Sequence, residues 1–198
     1  MRKFLAVVVL VVLITVIGAI FWYNELRYQL PTPVPVGYTP IKPGTLIHLP
    51  DSLKSKTGKP VFLHFFNPDC PCSRFNIQQF KTLVYNYGQR VDFKIIVVSK
   101  YKFTADEIRK KFDLDIPVSF DNGLSALCGV YSTPQVALID AKDQLYYRGN
   151  YNRSRYCTDE RTSYANIAVN GLLKQQQKIV FDKLALTSYG CSLPGCTN

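Results

Sequence analysis

The sequence predicts an α/β domain, a mixed central sheet flanked by helices, carried behind an N-terminal transmembrane helix. Three observations predict it. A long uncharged apolar run lies at the start of the chain. From Lys59 onward, short apolar runs alternate with stretches of helical spacing. The last two apolar runs are separated by a short polar turn, and a helix follows them. Parallel strands first and a hairpin last call for a mixed sheet with helices on both faces.

The apolar run is "FLAVVVLVVLITVIGAIFWY", residues 4–23. Twenty uncharged residues make a helix of about 30 Å, the thickness of a bilayer core. Arg2 and Lys3 precede it, so its N-terminus is expected to stay in the cytoplasm. A cleaved signal peptide would have a shorter apolar region followed by small residues. This run ends in Ile-Phe-Trp-Tyr, which favours an uncleaved signal anchor. The remaining chain is then expected outside the cytoplasm, in a bacterial periplasm or its equivalent. That makes the protein a single-pass inner-membrane protein.

Residues 24–58 hold half of the twelve prolines, among them Pro31, Pro33, Pro35 and Pro40. Such a stretch is extended and semi-rigid, and it reads as a stalk. The domain is expected over 59–180, with a cysteine-containing tail over 181–198. Within it, "PVFLHFF" is a strand buried on both faces. "SRFNIQQFKTLVYNYG" has helical spacing and ends at Gly88, a helix stop. "VDFKIIVVS" is a second strand. "TADEIRKKF" opens with Thr104 and Glu107, a capping box. "IPVSF" is a short strand and "GLSALCGV" a short helical or irregular segment. "PQVALID" and "LYYRGNY" form the hairpin, and "DERTSYANIAVNGLLKQQQK" is the final helix.

The net charge is +10, from 24 Lys and Arg against 14 Asp and Glu. The basic residues are scattered and no nucleic-acid motif is present, so no nucleic-acid partner is expected. Attraction to anionic headgroups fits the anchor better. The six cysteines are Cys70, Cys72, Cys128, Cys157, Cys191 and Cys196. Outside the cytoplasm they are expected to be paired or redox-active, and six allow 15 connectivities.

Cys70 and Cys72 sit in "FFNPDCPCSRF", between the first strand and the first helix. Chemistry collects at that carboxyl edge of an open α/β sheet, and a helix N-terminus favours a thiolate. Cys70 lies just outside the helix and is expected to be the exposed thiol. Cys72, inside the first turn, is expected to be more buried. One attacking and one resolving thiol are what disulfide exchange needs. Downstream, "GVYSTPQVALID" places Pro134 after Thr133 at the start of a strand.

On these motifs, together with "YYRGNY", the chain resembles the thioredoxin superfamily over residues 59–180. It is most similar to the membrane-anchored periplasmic and redoxin-type branches. The resemblance implies a thioredoxin fold and thiol–disulfide exchange without a cofactor or metal. It also implies a cis-proline at Pro134 that helps Thr133 hold a partner peptide. The partners implied are exported protein thiols and disulfides, with a membrane electron donor as a further candidate. The chain departs from the pattern in having one residue between the cysteines and Asp69 before them, a carboxylate that opposes a thiolate at Cys70.

His64 stands where the family carries a buried acid for proton transfer. It is either a core histidine whose ring meets a backbone carbonyl, or the acceptor of the Cys72 proton. The tail cysteines allow a local Cys191–Cys196 loop, a bridge from Cys157 to the tail, or an electron relay in which a tail cysteine resolves Cys70. Three other functions compete with the oxidoreductase reading. A peroxiredoxin-like peroxidase lacks its Pro-x-x-x-Thr/Ser-x-x-Cys pattern. A copper chaperone lacks a histidine near the proline loop, because only His48 and His64 exist. The third is a tethered domain that binds partners without catalysis.

Overall fold

The computed structural model describes residues 1–24, 30–121, 123–154, 159–175 and 179–194. Helix α1, Arg2–Asn24, is long and apolar enough to cross a bilayer, and none of its residues is buried within the molecule. The sheet is built from β1 (Val61–Phe66), β2 (Asp92–Val97), β3 (Val118–Phe120), β5 (Gln135–Ile139) and β6 (Leu145–Gly149). Its order is β3-β2-β1-β5-β6. β1, β2 and β3 run parallel, and β5 and β6 run antiparallel to the strands beside them. Every residue of β1 is buried, as its unbroken apolar run requires at the centre of the sheet.

Alternation along the strands sorts side chains onto two faces. Phe62, Phe66, Ile95, Val136 and Leu138 belong to one cluster, which α3 (Ile77–Tyr87), α4 (Ala105–Phe112) and α6 (Tyr164–Leu173) cover. Val61, Leu63, Phe65, Ile96, Ala137 and Ile139 belong to the other. That second face is covered by α5 (Leu124–Leu127) and by irregular chain. Ile47, Leu49 and Leu53 come from the stretch that reads as a stalk, and Leu193 from the tail. Ile47 is 1% exposed, so this part of the proline-rich stretch is core, not spacer. Its backbone is fixed too: Ile47 N–H donates to Asp143 O at 2.7 Å, and Leu46 bridges Gln144.

The capping box of α4 is present, with Thr104 and Glu107 each accepting from the other's backbone N–H. The helix after the cysteines is divided. A short α2 (Pro71–Phe75) ends at Asn76, and α3 begins at Ile77. Asn76 Nδ2 donates to Cys72 O at 3.0 Å, and takes the carbonyl that a continuous helix would bond through its backbone. The final helix is shorter than its sequence suggests. A 3-10 turn over Glu160–Thr162 precedes α6, which closes at Leu173. The tail adds α7 (Lys183–Leu186) and a two-residue strand β7 (Cys191–Ser192), paired with β4 (Ser132–Thr133).

Candidate active site

Cys70 is the N-cap residue of α2, at the end of β1, with Pro71 in the first helical turn. The Ser73 and Arg74 N–H groups both reach its carbonyl. Cys70 is disulfide-bonded to Cys191, with 6.0 Å between their Cα atoms and 121 residues between them in sequence. Its sulfur lies 3.5 Å from Thr133 O. The Thr133–Pro134 peptide is cis. Thus Cys70, Thr133, Pro134 and Cys191 meet at one sheet edge.

This placement corrects the expectation that Cys70 is the exposed thiol. It is 1% exposed and Cys72 is 2% exposed. The cause is the tail: β7 lies antiparallel over β4, pairing Thr133 with Cys191 and Ser132 with Ser192. The bridge is one of the alternatives the sequence left open, a tail cysteine joined to Cys70. Cys157 and Cys196 lie outside the described residues.

The tail is held by more than its bridge. Gln135 Nε2 donates to Ser188 Oγ at 2.7 Å. Asn150 Nδ2 donates to Leu184 O and Thr187 O. Thr32 N–H donates to Ser188 O at 2.8 Å, and its hydroxyl donates to Gly190 O at 3.3 Å. Gly190 has φ +134, and a Cβ there would collide with Thr133 O. Only glycine lets the chain pass this close to the Thr133–Pro134 backbone.

Beside the bridge is a cleft of about 620 Å³. Its lining includes Cys72, Pro134, Tyr151, Arg153, Asp159 and Gly190. Tyr151 connects the cleft to His64, since its hydroxyl and His64 Nδ1 share a 2.6 Å hydrogen bond. His64 is fully buried among aromatic rings, stacked on Phe80 at 4.7 Å with Phe66, Phe112 and Tyr151 around it. Its Nε2 has no hydrogen-bond partner among the described residues. Burial pushes its pKa from 6.5 down to about 3, so the ring is neutral at ordinary pH. The ring therefore meets a tyrosine hydroxyl, not a backbone carbonyl.

Cys128 forms no disulfide among the described residues. It is buried in the second cluster. Burial, with Asp121 nearby, raises its thiol to about 12 and keeps it protonated. Asp69, beside Cys70, accepts a hydrogen bond from Ser99 Oγ at 3.0 Å. Among the described residues, no group of three or more His, Cys, Asp or Glu is placed to hold a metal ion.

Sequence reasoning passed over Tyr151, Gly190 and Gln135. Gly190 had a local signal, as a glycine directly before a cysteine. Tyr151 and Gln135 act through partners 87 and 53 residues away, which no local pattern reports.

The strand order, the parallel β1–β2 unit, the terminal hairpin and the cysteine at the strand–helix edge facing a cis-proline define a thioredoxin-like fold. The chain belongs to the family described as a domain of unknown function, DUF6436, whose model matches residues 41–193. A hypothetical protein from Sinorhizobium meliloti matches with a TM-score of 0.61 and 21% identity, over 78% of this chain and 95% of that one. An uncharacterized conserved protein from Geobacillus kaustophilus matches with a TM-score of 0.59 and 18% identity, over 83% and 97%. The thioredoxin domain of a thiol-disulfide oxidoreductase from Bacteroides vulgatus has a TM-score of 0.47 at 11% identity, over 61% and 97%. No curated protein matches the chain.

Proposed function

We propose that the protein is a membrane-tethered thiol–disulfide oxidoreductase whose exchanging sulfur is Cys70. The observation that carries this reading is the Cys70–Cys191 bridge, set between the end of β1 and the Thr133–Pro134 backbone. Cys70 belongs to two pairs: Cys72, two residues on, and Cys191, across the edge of the sheet. Thr133 and Pro134 form the surface against which a partner strand lies.

In the reduced protein the Cys70 thiolate attacks a partner disulfide. A Cys70–partner bond forms and the second partner sulfur leaves as thiolate. Cys191 then gives up its proton and attacks Cys70 Sγ. The Cys70–Cys191 bond forms and the first partner sulfur leaves. Two electrons and two protons pass from the cysteines to the partner. The same steps in reverse oxidise a partner dithiol.

Arg2 and Lys3 in the first turn of α1, before its apolar run, support an N-terminus in the cytoplasm and a domain outside it. The substrates are then exported proteins, and a membrane electron carrier is the fitting source of reducing equivalents. The test uses full-length protein in detergent, assayed for insulin reduction and for oxidation of a dithiol peptide. Turnover is expected in at least one direction and is expected to vanish in Cys70→Ser. Turnover that survives Cys70→Ser would overturn the assignment.

A further inference from the structure

The tail strand marks the subsites of a peptide bonded to Cys70. Any cysteine bonded to Cys70 must bring its Cα to within about 4.4–6.8 Å of that of Cys70. The strand edge beside Cys70 is β4, and β7 covers it. Main-chain pairing along β4 is open to any extended peptide, while the side-chain positions set which peptides fit.

Two positions are selective. The residue before the cysteine is Gly190, at φ +134, where a Cβ would run into Thr133 O and come to 3.1 Å from Thr133 C. The residue two after the cysteine is Leu193, 7% exposed and part of the cluster containing Val130 and Ala137. Between them, Ser192 is exposed and carries no such demand.

We infer that the protein exchanges preferentially with extended peptides that carry glycine directly before the cysteine and an apolar residue two positions after it. Its own tail is the tethered example. This specificity rests on the exchange reading above and adds the substrate class to it. An incoming peptide takes the place of β7 on β4.

The test uses the full-length chain in detergent with Cys72, Cys157, Cys191 and Cys196 changed to Ser, and the same chain with Cys70→Ser as background. The probe is the peptide Ser-Tyr-Gly-Cys-Ser-Leu, its cysteine held as a mixed disulfide with thionitrobenzoate. The Cys70 thiolate attacks the peptide sulfur, the Cys70–peptide bond forms, and thionitrobenzoate leaves as a coloured thiolate. Alanine in place of the glycine is expected to slow Cys70-dependent release about tenfold or more, and serine in place of the leucine severalfold. Alanine at the first serine after the cysteine is expected to change little.

A second measurement stays within the chain. In Gly190→Ala, with all cysteines present, the Cys70–Cys191 bridge is expected to be about tenfold less populated at a fixed dithiol to disulfide ratio. Equal release from all the peptides, together with an unchanged bridge in Gly190→Ala, would overturn the specificity and leave exchange standing. No Cys70-dependent release, either from these peptides or from the glutathione–thionitrobenzoate disulfide, would overturn exchange itself.

Discussion

The two faces of the central sheet are covered in different ways. One face lies under α3, α4 and α6, and its cluster is rich in rings: Phe62, Phe66, Phe80, Phe93, Phe112 and Tyr151. The other lies under short or irregular chain, with Ile47, Leu49 and Leu53 before the sheet and Leu193 after it. The helical face holds a buried, neutral His64, which is hydrogen-bonded to the cleft-lining Tyr151. The irregular face is continuous with the tail strand that bonds to Cys70. Regular cover makes a fixed support, whereas segment cover brings a distant cysteine to the site on a strand of two residues.

The sharpest way to break this contrast is Cys191→Ser. It removes the bond that ties the irregular cover to the site. Exchange that ends in the bridged state is expected to be lost. Opening a loop of 121 residues is expected to cost about 5 kcal/mol of stability by chain entropy, read from denaturant midpoints under oxidising conditions.

On the helical face, His64→Phe should act through pH. The folded pKa, about 3, lies below the ordinary 6.5, so the unfolded chain binds the proton first. His64 therefore leaves the fold fully stable above pH 6.5 and destabilises it progressively as pH falls toward 3. The full loss is about 5 kcal/mol. Urea unfolding between pH 7 and 4 should show a smaller acid loss in His64→Phe than in wild type. The same variant decides the histidine's chemical role. If exchange keeps its rate and pH profile, His64 does not take the Cys72 proton.

Ile47→Ala probes the irregular cover without touching the cysteines. It is expected to cost about 3 kcal/mol in thermal or denaturant unfolding, because Ile47 is a fully buried aliphatic side chain. Exchange per folded molecule should stay at the wild-type rate. The smallest effect is expected from Cys128→Ala. Loss of a buried sulfur in the second cluster should cost about 1 kcal/mol, with no change in exchange.

The helical face was largely legible in the sequence. The runs that became β1 and β2, the Thr104–Glu107 box and the hairpin of β5 and β6 each carry a local signal of the right period. The irregular face was not. Ile47 and Leu49 do alternate, but they lie between Pro43 and Pro50, and the proline density reads as a spacer. β7 is too short to show any period. At the site, Cys70, Thr133 and Pro134 were readable because a strand–helix junction and a proline before a strand are local patterns. The pairing of Cys70 with Cys191 occurs in three of the 15 connectivities, and only the tertiary path of the tail selects it.

The central claim is that Cys70 and Cys191 form and break one bond during turnover. The direct measurement is peptide mapping by mass spectrometry of the full-length protein, alkylated without reduction, before and after reaction with a disulfide substrate. The account predicts separate alkylated Cys70 and Cys191 peptides in the reduced protein and a Cys70–Cys191 linked peptide after the substrate is consumed. A Cys70–Cys191 link that stays closed through turnover, or a substrate-dependent bond at Cys70 that never includes Cys191, would contradict it.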